Sequence, residues 1–212
     1  MWRITVELQP ELAVKDRLLE AAIGLFARKG YHATSVREIV EAAGVTKPVL
    51  YYWFRSKEGV FHALMELAVA AHREVIAEVR AHGGGAAERI LLLGEKVLTL
   101  VQANTEVVRV FDAVYYGPRE GAPKVDFDPL YGEFNRFLHA LVVEGVASRE
   151  FRDGDIEAMH TALLGAFMIC DSAVVMTEEA THECPAIGMG PQDVRRVMNV
   201  VLDGMRVEEE LQ

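Results

Sequence analysis

Apolar positions recur every three or four residues along most of this chain, which is the spacing of amphipathic helices. No pair of alternating strands and no internal repeat is visible, so the sequence predicts an all-α fold of about nine helices. The approximate helical ranges are 13–29, 35–43, 46–53, 56–80, 86–103, 104–116, 130–146, 155–178 and 191–207. Apolar residues alternate with polar ones over residues 1–9, and we interpret residues 1–12 as an N-terminal arm.

Glycine and proline mark the breaks between these helices. Gly30 and Gly44 stand where the first two helices are expected to end. Residues 117–129 contain three prolines and two glycines, and we expect this loop to act as a mobile entrance to an interior site. Residues 180–190 are predicted to form a second loop, which leads to Pro191 at the first position of the last helix.

Charge is distributed unevenly along the 212 residues, whose net charge is −10. Residues 1–62 hold nine Lys or Arg and seven Asp or Glu, a net charge of +2. Residues 63–212 hold 13 and 25, a net charge of −12. The acidic part would repel phosphates, whereas the N-terminal part would not. A partner with a phosphate backbone is therefore compatible only with the N-terminal part.

Residues 34–57 have the pattern of a helix, a tight turn and a second short helix. Ala42, Ala43 and Gly44 keep the turn small, and Val45 supplies the apolar contact that follows it. This pattern indicates a helix-turn-helix, whose second helix is free to enter a major groove of DNA. Hydroxyl, indole and ammonium donors suited to DNA lie on or beside that second helix, at Thr46, Lys47, Tyr51, Tyr52, Trp53, Arg55 and Lys57.

The stretch from about Lys15 to Ala63 resembles the TetR/AcrR family of transcriptional regulators. The matching residues are Ala21, Ala22, Leu25, Phe26, Gly30, Tyr31, Thr34, Val36, Arg37, Glu38, Ile39, Ala42, Ala43, Gly44, Val45, Leu50, Tyr51, Phe54, Ser56, Lys57 and Glu58. The rest of the chain is similar to the family only in length and helix order. We therefore expect an arm at 1–12, a helix-turn-helix DNA-binding domain at 13–58, and a larger ligand-binding and dimerisation domain at 59–212.

The resemblance also implies which side chains face double-stranded operator DNA. The residues expected to contact phosphates are Thr34, Thr46, Tyr51 and Lys57. The residues expected to face bases are Lys47, Pro48 and Tyr52. Trp53 stands where the family usually has Tyr or His, and its indole N–H can still donate to a phosphate with a different reach. Val49 stands where a hydroxyl is common, which puts that phosphate contact in doubt and favours a thymine methyl contact instead.

A helix in the acidic part is apolar on nearly all of its faces between Leu163 and Met176. The core of one chain can cover only part of such a helix, so we expect a second copy of the chain to cover the rest. The predicted homodimer interface consists of about residues 155–178 and 191–207. The family resemblance implies the same arrangement of four helices.

Aromatic residues at helical spacing occur together with isolated charges between residues 86 and 176. Because a sealed core does not tolerate unpaired charges, we predict a mainly apolar cavity for a small hydrophobic or amphipathic effector. The predicted lining residues are Phe111, Tyr115, Phe134, Phe137 and Phe167, with Asp171 or Arg109 as the polar contact. Asp171 needs a partner, which is an Arg, a backbone donor, the second copy or the ligand.

Other classes of protein find little support in the sequence. His160 and Asp171 are about 16 Å apart along one predicted helix, so they cannot form a catalytic dyad within one subunit. The tract His182-Glu183-Cys184 lacks the paired spacing of metal ligands, and no cofactor is indicated. With two cysteines, no uninterrupted apolar run of membrane-spanning length and no signal-peptide pattern, we expect a cytoplasmic protein that is not an enzyme and does not bind a membrane.

Two functions are compatible with these observations. The first is a one-component repressor that an effector releases from a palindromic operator by changing the spacing of two DNA-binding heads. The alternative is a DNA-binding dimer whose C-terminal domain serves only for dimerisation or protein interaction. An apolar pocket in that domain would favour the first function, and a solid core would favour the second.

Overall fold

The computed structural model describes residues 10–177 and 190–207, and within these ranges the chain forms nine α-helices. They are α1 (Pro10–Lys29), α2 (Val36–Ala43), α3 (Lys47–Phe54), α4 (Lys57–Ala81), α5 (Ala86–Ala103), α6 (Thr105–Tyr115), α7 (Glu133–Ala147), α8 (Ile156–Thr177) and α9 (Pro191–Asp203). The all-α prediction is confirmed. A π-helical turn at Asp128–Gly132 precedes α7, and an antiparallel bridge joins Phe151 to Arg206.

Helix α1 begins at Pro10, so residues 10–12 of the predicted arm belong to the first helix. Proline is well suited to a first helical position because it lacks an N–H that would have no partner there. Residues 1–9 and most of the predicted 180–190 loop, including His182, Glu183 and Cys184, lie outside the described residues.

The chain divides into two compact units. Among the described residues, unit 1 consists of residues 10–70 and 104–127, and unit 2 consists of residues 71–103, 128–177 and 190–207. The division falls within α4 and places α6 in unit 1, together with the helix-turn-helix. The predicted domain boundary after residue 58 is based on the family resemblance, whereas these units are defined by which residues pack together.

Unit 1 is held together by α1, which packs against α2 and α6. Its core contains Leu18, Ala22, Phe26, Ile39, Leu50, Phe61 and Phe111, all nearly inaccessible to solvent. A chain of aromatic contacts runs through this core. The ring centroids of Phe26 and Tyr31 are 5.2 Å apart, those of Tyr31 and Phe61 are 5.5 Å apart, and those of Phe61 and Phe111 are 5.5 Å apart.

Unit 2 is built around α5, which packs against α7, α8 and α9. A β-carbon at Gly94 of α5 would stand 2.9 Å from Val194 and 3.2 Å from the ring of Phe167, so glycine allows these helices to approach closely. The Glu150 carboxylate accepts hydrogen bonds from the backbone N–H groups of Ala86 (2.6 Å) and Ala87 (3.0 Å), and so satisfies two N–H groups at the start of α5.

Candidate functional site

The helix-turn-helix is fixed at both ends of α2. Ser35 and Glu38 form a reciprocal capping box, with 2.9 Å from the Ser35 backbone N–H to Glu38 Oε2. Gly44 adopts the left-handed conformation (φ 67°, ψ 37°), and the N–H of Val45 donates to the carbonyl of Val40 at 2.9 Å. Only Gly44 and Val45 therefore separate α2 from Thr46, the N-cap of α3.

Helix α3 has two chemically different faces. Leu50 and Phe54 are buried against the rest of unit 1. Lys47, Pro48, Tyr51 and Tyr52 are exposed, with 47% of Tyr51 and 78% of Tyr52 accessible to solvent. Because residues four apart share a helix face, Lys47 lies next to Tyr51 and Pro48 next to Tyr52. The exposed face therefore carries an ammonium group, two phenol groups and a proline ring.

The N-terminus of α3 has donors that face solvent. Thr46 is exposed, and its side chain forms no capping hydrogen bond to the described part of α3. Pro48 occupies the first turn, and no acidic residue lies in that turn. Trp53 is half-buried and contacts Tyr52 edge-to-face at 5.2 Å. An electropositive helix end without a neighbouring carboxylate is suited to a phosphate.

Two of the predicted phosphate contacts point into the protein instead. Thr34 is only 2% exposed, and its hydroxyl donates to the carbonyl of Gly30 at 2.9 Å. The Lys57 ammonium donates to the carbonyls of Tyr31 (2.8 Å), His32 (3.3 Å) and Thr34 (2.8 Å). Since an ammonium has three N–H groups, Lys57 is fully engaged in holding the connection between α1 and α2.

The electrostatics around Lys57 agree with this internal role. Burial, and then the charge of Lys29, lower the pKa of the Lys57 ammonium, which also lies 4.2 Å from the centre of the Tyr31 ring. Burial, and then the charge of Glu58, raise the pKa of Tyr31 to about 12. We therefore treat Thr34 and Lys57 as residues that shape the helix-turn-helix, and the exposed set as the candidate DNA contacts.

Comparison with known proteins agrees with this geometry. Residues 18–64 match the sequence profile of the family described as bacterial regulatory proteins, tetR family. Within residues 18–64, the chain carries the DNA-binding domain of this family. Its helix-turn-helix, including the exposed face of α3, lies within the matched residues.

Three individual proteins illustrate how far the similarity extends. The HTH-type transcriptional repressor ComR of Escherichia coli is 41% identical over 58 residues, which cover 27% of this chain and 28% of that relative. The structure of the TetR family regulator PfmR from Thermus thermophilus has a TM-score of 0.69 at 22% identity, and covers 92% of this chain and 100% of that protein.

The third is the transcriptional regulator FadR from Bacillus subtilis, whose structure was solved in complex with stearoyl-CoA. It has a TM-score of 0.63 at 21% identity, and covers 89% of this chain and 95% of that protein. At 22% and 21% identity, the two structures establish only the fold.

The residues predicted to line an effector cavity belong to both compact units. Arg109, Phe111 and Tyr115 lie on α6 in unit 1. Phe111 is buried against Phe61, and Tyr115 is half-exposed with its ring 5.1 Å from that of Phe127. The α6 aromatic residues therefore contribute to the core and the edge of the DNA-binding unit, which the helical periodicity alone did not reveal.

The other predicted lining residues lie in unit 2. The rings of Phe134 and Phe167 meet edge-to-face at 5.3 Å, and Phe137 lies under the Arg80 guanidinium at 5.3 Å. Asp171 follows Phe167 by one helical turn on α8, where it is half-buried and engaged with a partner. Unit 2 therefore brings together an apolar aromatic contact and a neighbouring carboxylate.

Sequence reasoning missed two buried polar atoms in unit 2. Nε2 of His160 and Oδ1 of Asn135 are inaccessible to solvent and have no hydrogen-bond partner among the described residues. Burial, and then the neighbouring His139, lower the pKa of His160, so the neutral imidazole is favoured. The signal available in the sequence is a histidine in an otherwise apolar helix.

Helices α8 and α9 expose apolar side chains on the surface of unit 2. Met159, Leu163, Phe167, Cys170 and Val174 of α8 are buried, whereas Ala158, Ala162, Gly165, Met168 and Ile169 are exposed. The exposed fractions reach 67% for Ile169 and 75% for Val200 of α9. By length and composition Ile156–Val175 would be able to span a membrane, but such a segment is equally typical of a helix that packs against protein on two sides.

Proposed function

We propose that this chain is a homodimeric, cytoplasmic transcriptional repressor that binds operator DNA through α3 and releases it when a small hydrophobic or amphipathic effector binds unit 2. The observation that carries the proposal is the exposed face of α3. Lys47, Tyr51 and Tyr52 extend into solvent from a helix that Leu50 and Phe54 fix in place. This is the arrangement of a recognition helix in a major groove.

The chemistry of that face suggests which residues contact bases and which contact phosphates. Lys47 and Tyr52 supply donors and an aromatic ring for base edges, while Thr46 and Tyr51 supply hydroxyl donors for phosphates. Trp53 is proposed as a third phosphate contact through its indole N–H. Pro48 is proposed to contact bases through its exposed ring. None of these contacts requires Thr34 or Lys57 to leave its internal position.

Dimerisation through α8 and α9 supports binding to an inverted repeat. The exposed apolar residues of α8 would be costly in water, and a second copy of the same helix would cover them around a twofold axis. The predicted interface consists of about residues 155–178 and 191–207, of which position 178 lies outside the described residues. A dimer would present two copies of α3 to successive major grooves.

For the effector, we propose a site inside unit 2 near Phe134, Phe137, Phe167 and Asp171. The stearoyl-CoA in the FadR structure supports a long acyl compound as the first class to test. The unpartnered atoms of His160 and Asn135 provide polar contacts for such a ligand, because buried polar atoms gain most from a new hydrogen bond. We do not include Arg109, Phe111 and Tyr115 in this site because they belong to unit 1.

Selection of DNA tests the proposed regulatory function. The wild-type protein would be incubated with a pool of random duplexes of roughly three helical turns, and the bound molecules sequenced over successive rounds. We expect an inverted repeat whose half-sites are about 10 base pairs apart, centre to centre, or a multiple of that spacing. Recovery of duplexes without any shared sequence would contradict a specific operator.

Thermal unfolding tests the effector site. Stearoyl-CoA should raise the melting temperature of the wild-type protein, while coenzyme A without an acyl chain should not. Phe134→Ala and Asp171→Asn should each reduce the shift. If no acyl compound changes the melting temperature or DNA binding, the alternative of a C-terminal domain used only for dimerisation is favoured.

A further inference from the structure

The loop formed by residues 117–127 lies against the DNA-binding helices rather than standing free. Gly121 has a φ of +74°, and a β-carbon at this position would overlap Nδ1 of the His32 imidazole. Glycine therefore allows the backbone of the loop to touch the connection between α1 and α2. The sequence suggests a mobile entrance for this loop, and these contacts give it a different role.

A second contact fixes the same loop to the start of α4. The backbone N–H of Lys124 donates to Oε1 of Glu58 at 2.7 Å. Glu58 follows Lys57, whose ammonium holds the carbonyls of Tyr31, His32 and Thr34. The loop and the Lys57 ammonium therefore act on the same short stretch of backbone, residues 31–34.

The far end of the loop is held by aromatic contacts within unit 1. The ring of Phe127 meets Tyr115 edge-to-face at 5.1 Å and Phe111 at 6.3 Å. Phe111 in turn contacts Phe61 at 5.5 Å in the core. Aromatic pairs of this kind restrict movement of the segments that carry them.

We propose that the 117–127 loop is a positioning element for DNA recognition, which holds residues 31–34 and so fixes where α2 and α3 begin. This inference rests on the proposed function. Residues 31–34 lead directly to Ser35, the N-cap of α2, and α3 follows α2 after a turn of three residues. A shift of residues 31–34 would therefore move the exposed face of α3 and lower operator affinity without unfolding the core.

The test uses four variants and a control. Gly121→Ala would place a methyl group on the His32 imidazole and strain the loop backbone at φ +74°, and Glu58→Ala would remove the acceptor for the Lys124 N–H. Glu58→Gln keeps an acceptor oxygen at the same position. His32→Ala combined with Gly121→Ala removes the ring that the new methyl group would strike. Gly84→Ala is the control, because Gly84 also has a positive φ (+101°) but lies in unit 2.

Affinity for the duplex selected by the wild-type protein is the first readout. Gly121→Ala and Glu58→Ala should each weaken binding about threefold to tenfold, the range expected for one hydrogen bond or close contact. Glu58→Gln and Gly84→Ala should stay within about twofold of the wild type. The double variant removes the clash but keeps the backbone strain, so it should recover part of the loss caused by Gly121→Ala, which is coupling that a general loss of stability would not produce.

Hydrogen exchange is the second readout and does not depend on DNA. Gly121→Ala and Glu58→Ala should speed exchange of the amides of residues 34–40, while amides in α5 keep the wild-type rate. Unchanged exchange at residues 34–40 would overturn the inference, as would faster exchange with unchanged affinity. If the wild-type protein selects no duplex, the proposed function is wrong. If the wild type binds a selected duplex and the variants bind it equally well, only the positioning role is overturned.

Discussion

Helices α3 and α8 both leave one face uncovered in the single chain, but the two faces are chemically opposite. The face of α3 presents Lys47, Tyr51 and Tyr52, whose polar groups remain well solvated in the free protein. The face of α8 presents Ala162, Met168 and other apolar side chains, which gain free energy when water is removed from them. An exposed helix face therefore indicates an interface, and its chemistry indicates the kind of partner.

The difference also appears in how each helix is held. Helix α3 has eight residues, follows the capped helix α2 and its left-handed Gly44, and is held by two buried side chains. Helix α8 has 22 residues and packs on α5, α7 and α9. A short helix held by two buried side chains can present its other face to a groove, whereas a long packed helix provides area for association.

The largest expected effect comes from a charge on the apolar face of α8. Ile169→Glu places an unpaired carboxylate in the proposed dimer interface, where burial of such a charge costs about 3–5 kcal/mol. The dimer dissociation constant should therefore rise at least about a hundredfold. Sedimentation equilibrium of the wild type and the variant would measure this change.

Val143→Glu is the matched control for that experiment. Val143 is also an exposed apolar residue, but it lies on α7 and outside the proposed interface. The Val143→Glu variant should remain dimeric. An Ile169→Glu protein that remains as dimeric as the control would show that α8 does not form the interface.

Substitutions on α3 should separate base contacts from phosphate contacts. Lys47→Ala should cost about 1–3 kcal/mol at the selected duplex and reduce discrimination between sequences. Tyr51→Phe removes one hydroxyl and should weaken binding to selected and unrelated DNA alike, by about 0.5–1.5 kcal/mol. Fluorescence anisotropy titrations with both duplexes would measure the two effects.

Two control variants make the same kinds of change at positions outside α3. Lys96→Ala removes a partly exposed ammonium group from unit 2, and Tyr116→Phe removes the hydroxyl of a tyrosine that is 66% exposed outside α3. Both controls should bind DNA as the wild type does. If Lys47→Ala and Tyr51→Phe also bind like the wild type, the exposed face of α3 is not the DNA contact.

The sequence predicted the helix-turn-helix well because its determinants are local. Gly44 provides the left-handed turn, the pair Ser35 and Glu38 provides the capping box, and the spacing of Leu50 and Phe54 defines the buried face of α3. Each of these signals depends on residues no more than four positions apart. Local signals of this kind can be recognised without knowing how distant segments pack.

Contacts between distant segments are beyond what helical periodicity can predict. The Lys57 ammonium binds carbonyls 23 to 26 residues earlier in the chain, and no helical periodicity predicts such a contact. Likewise, the apolar stripe of α6 predicts that Phe111 is buried but does not say that its neighbour is Phe61 of the DNA-binding unit. The effector and dimer residues remain proposals for the same reason, since each depends on contacts outside the single helix.

The smallest expected effect concerns pH and the start of α2. Hydrogen bonds from Lys29 and then Ser35 lower the pKa of Glu38 from 4.5 to about 2. A carboxylate with a depressed pKa in the folded state stabilises the protein above the unfolded pKa, and this contribution is lost as the pH falls from about 4.5 towards 2. Glu38→Gln should therefore flatten the dependence of the melting temperature on pH in that range.

The control for the pH experiment is Glu41→Gln. Glu41 lies on the same helix and pairs with Arg37 on the exposed surface, but it takes no part in the capping box. Its variant controls for the loss of one surface carboxylate from the same helix. Identical profiles for Glu38→Gln and the wild type would show that the capping box does not contribute to stability through this ionisation.

Hydroxyl-radical footprinting on the selected duplex tests the central claim most directly, because it shows where the protein touches DNA and how many times. The account predicts two protected patches related by twofold symmetry, about 10 base pairs apart or a multiple of that spacing, and weakened together by Lys47→Ala. A single protected patch, or two patches that Lys47→Ala leaves at full strength, would contradict a dimer that reads DNA through the exposed face of α3.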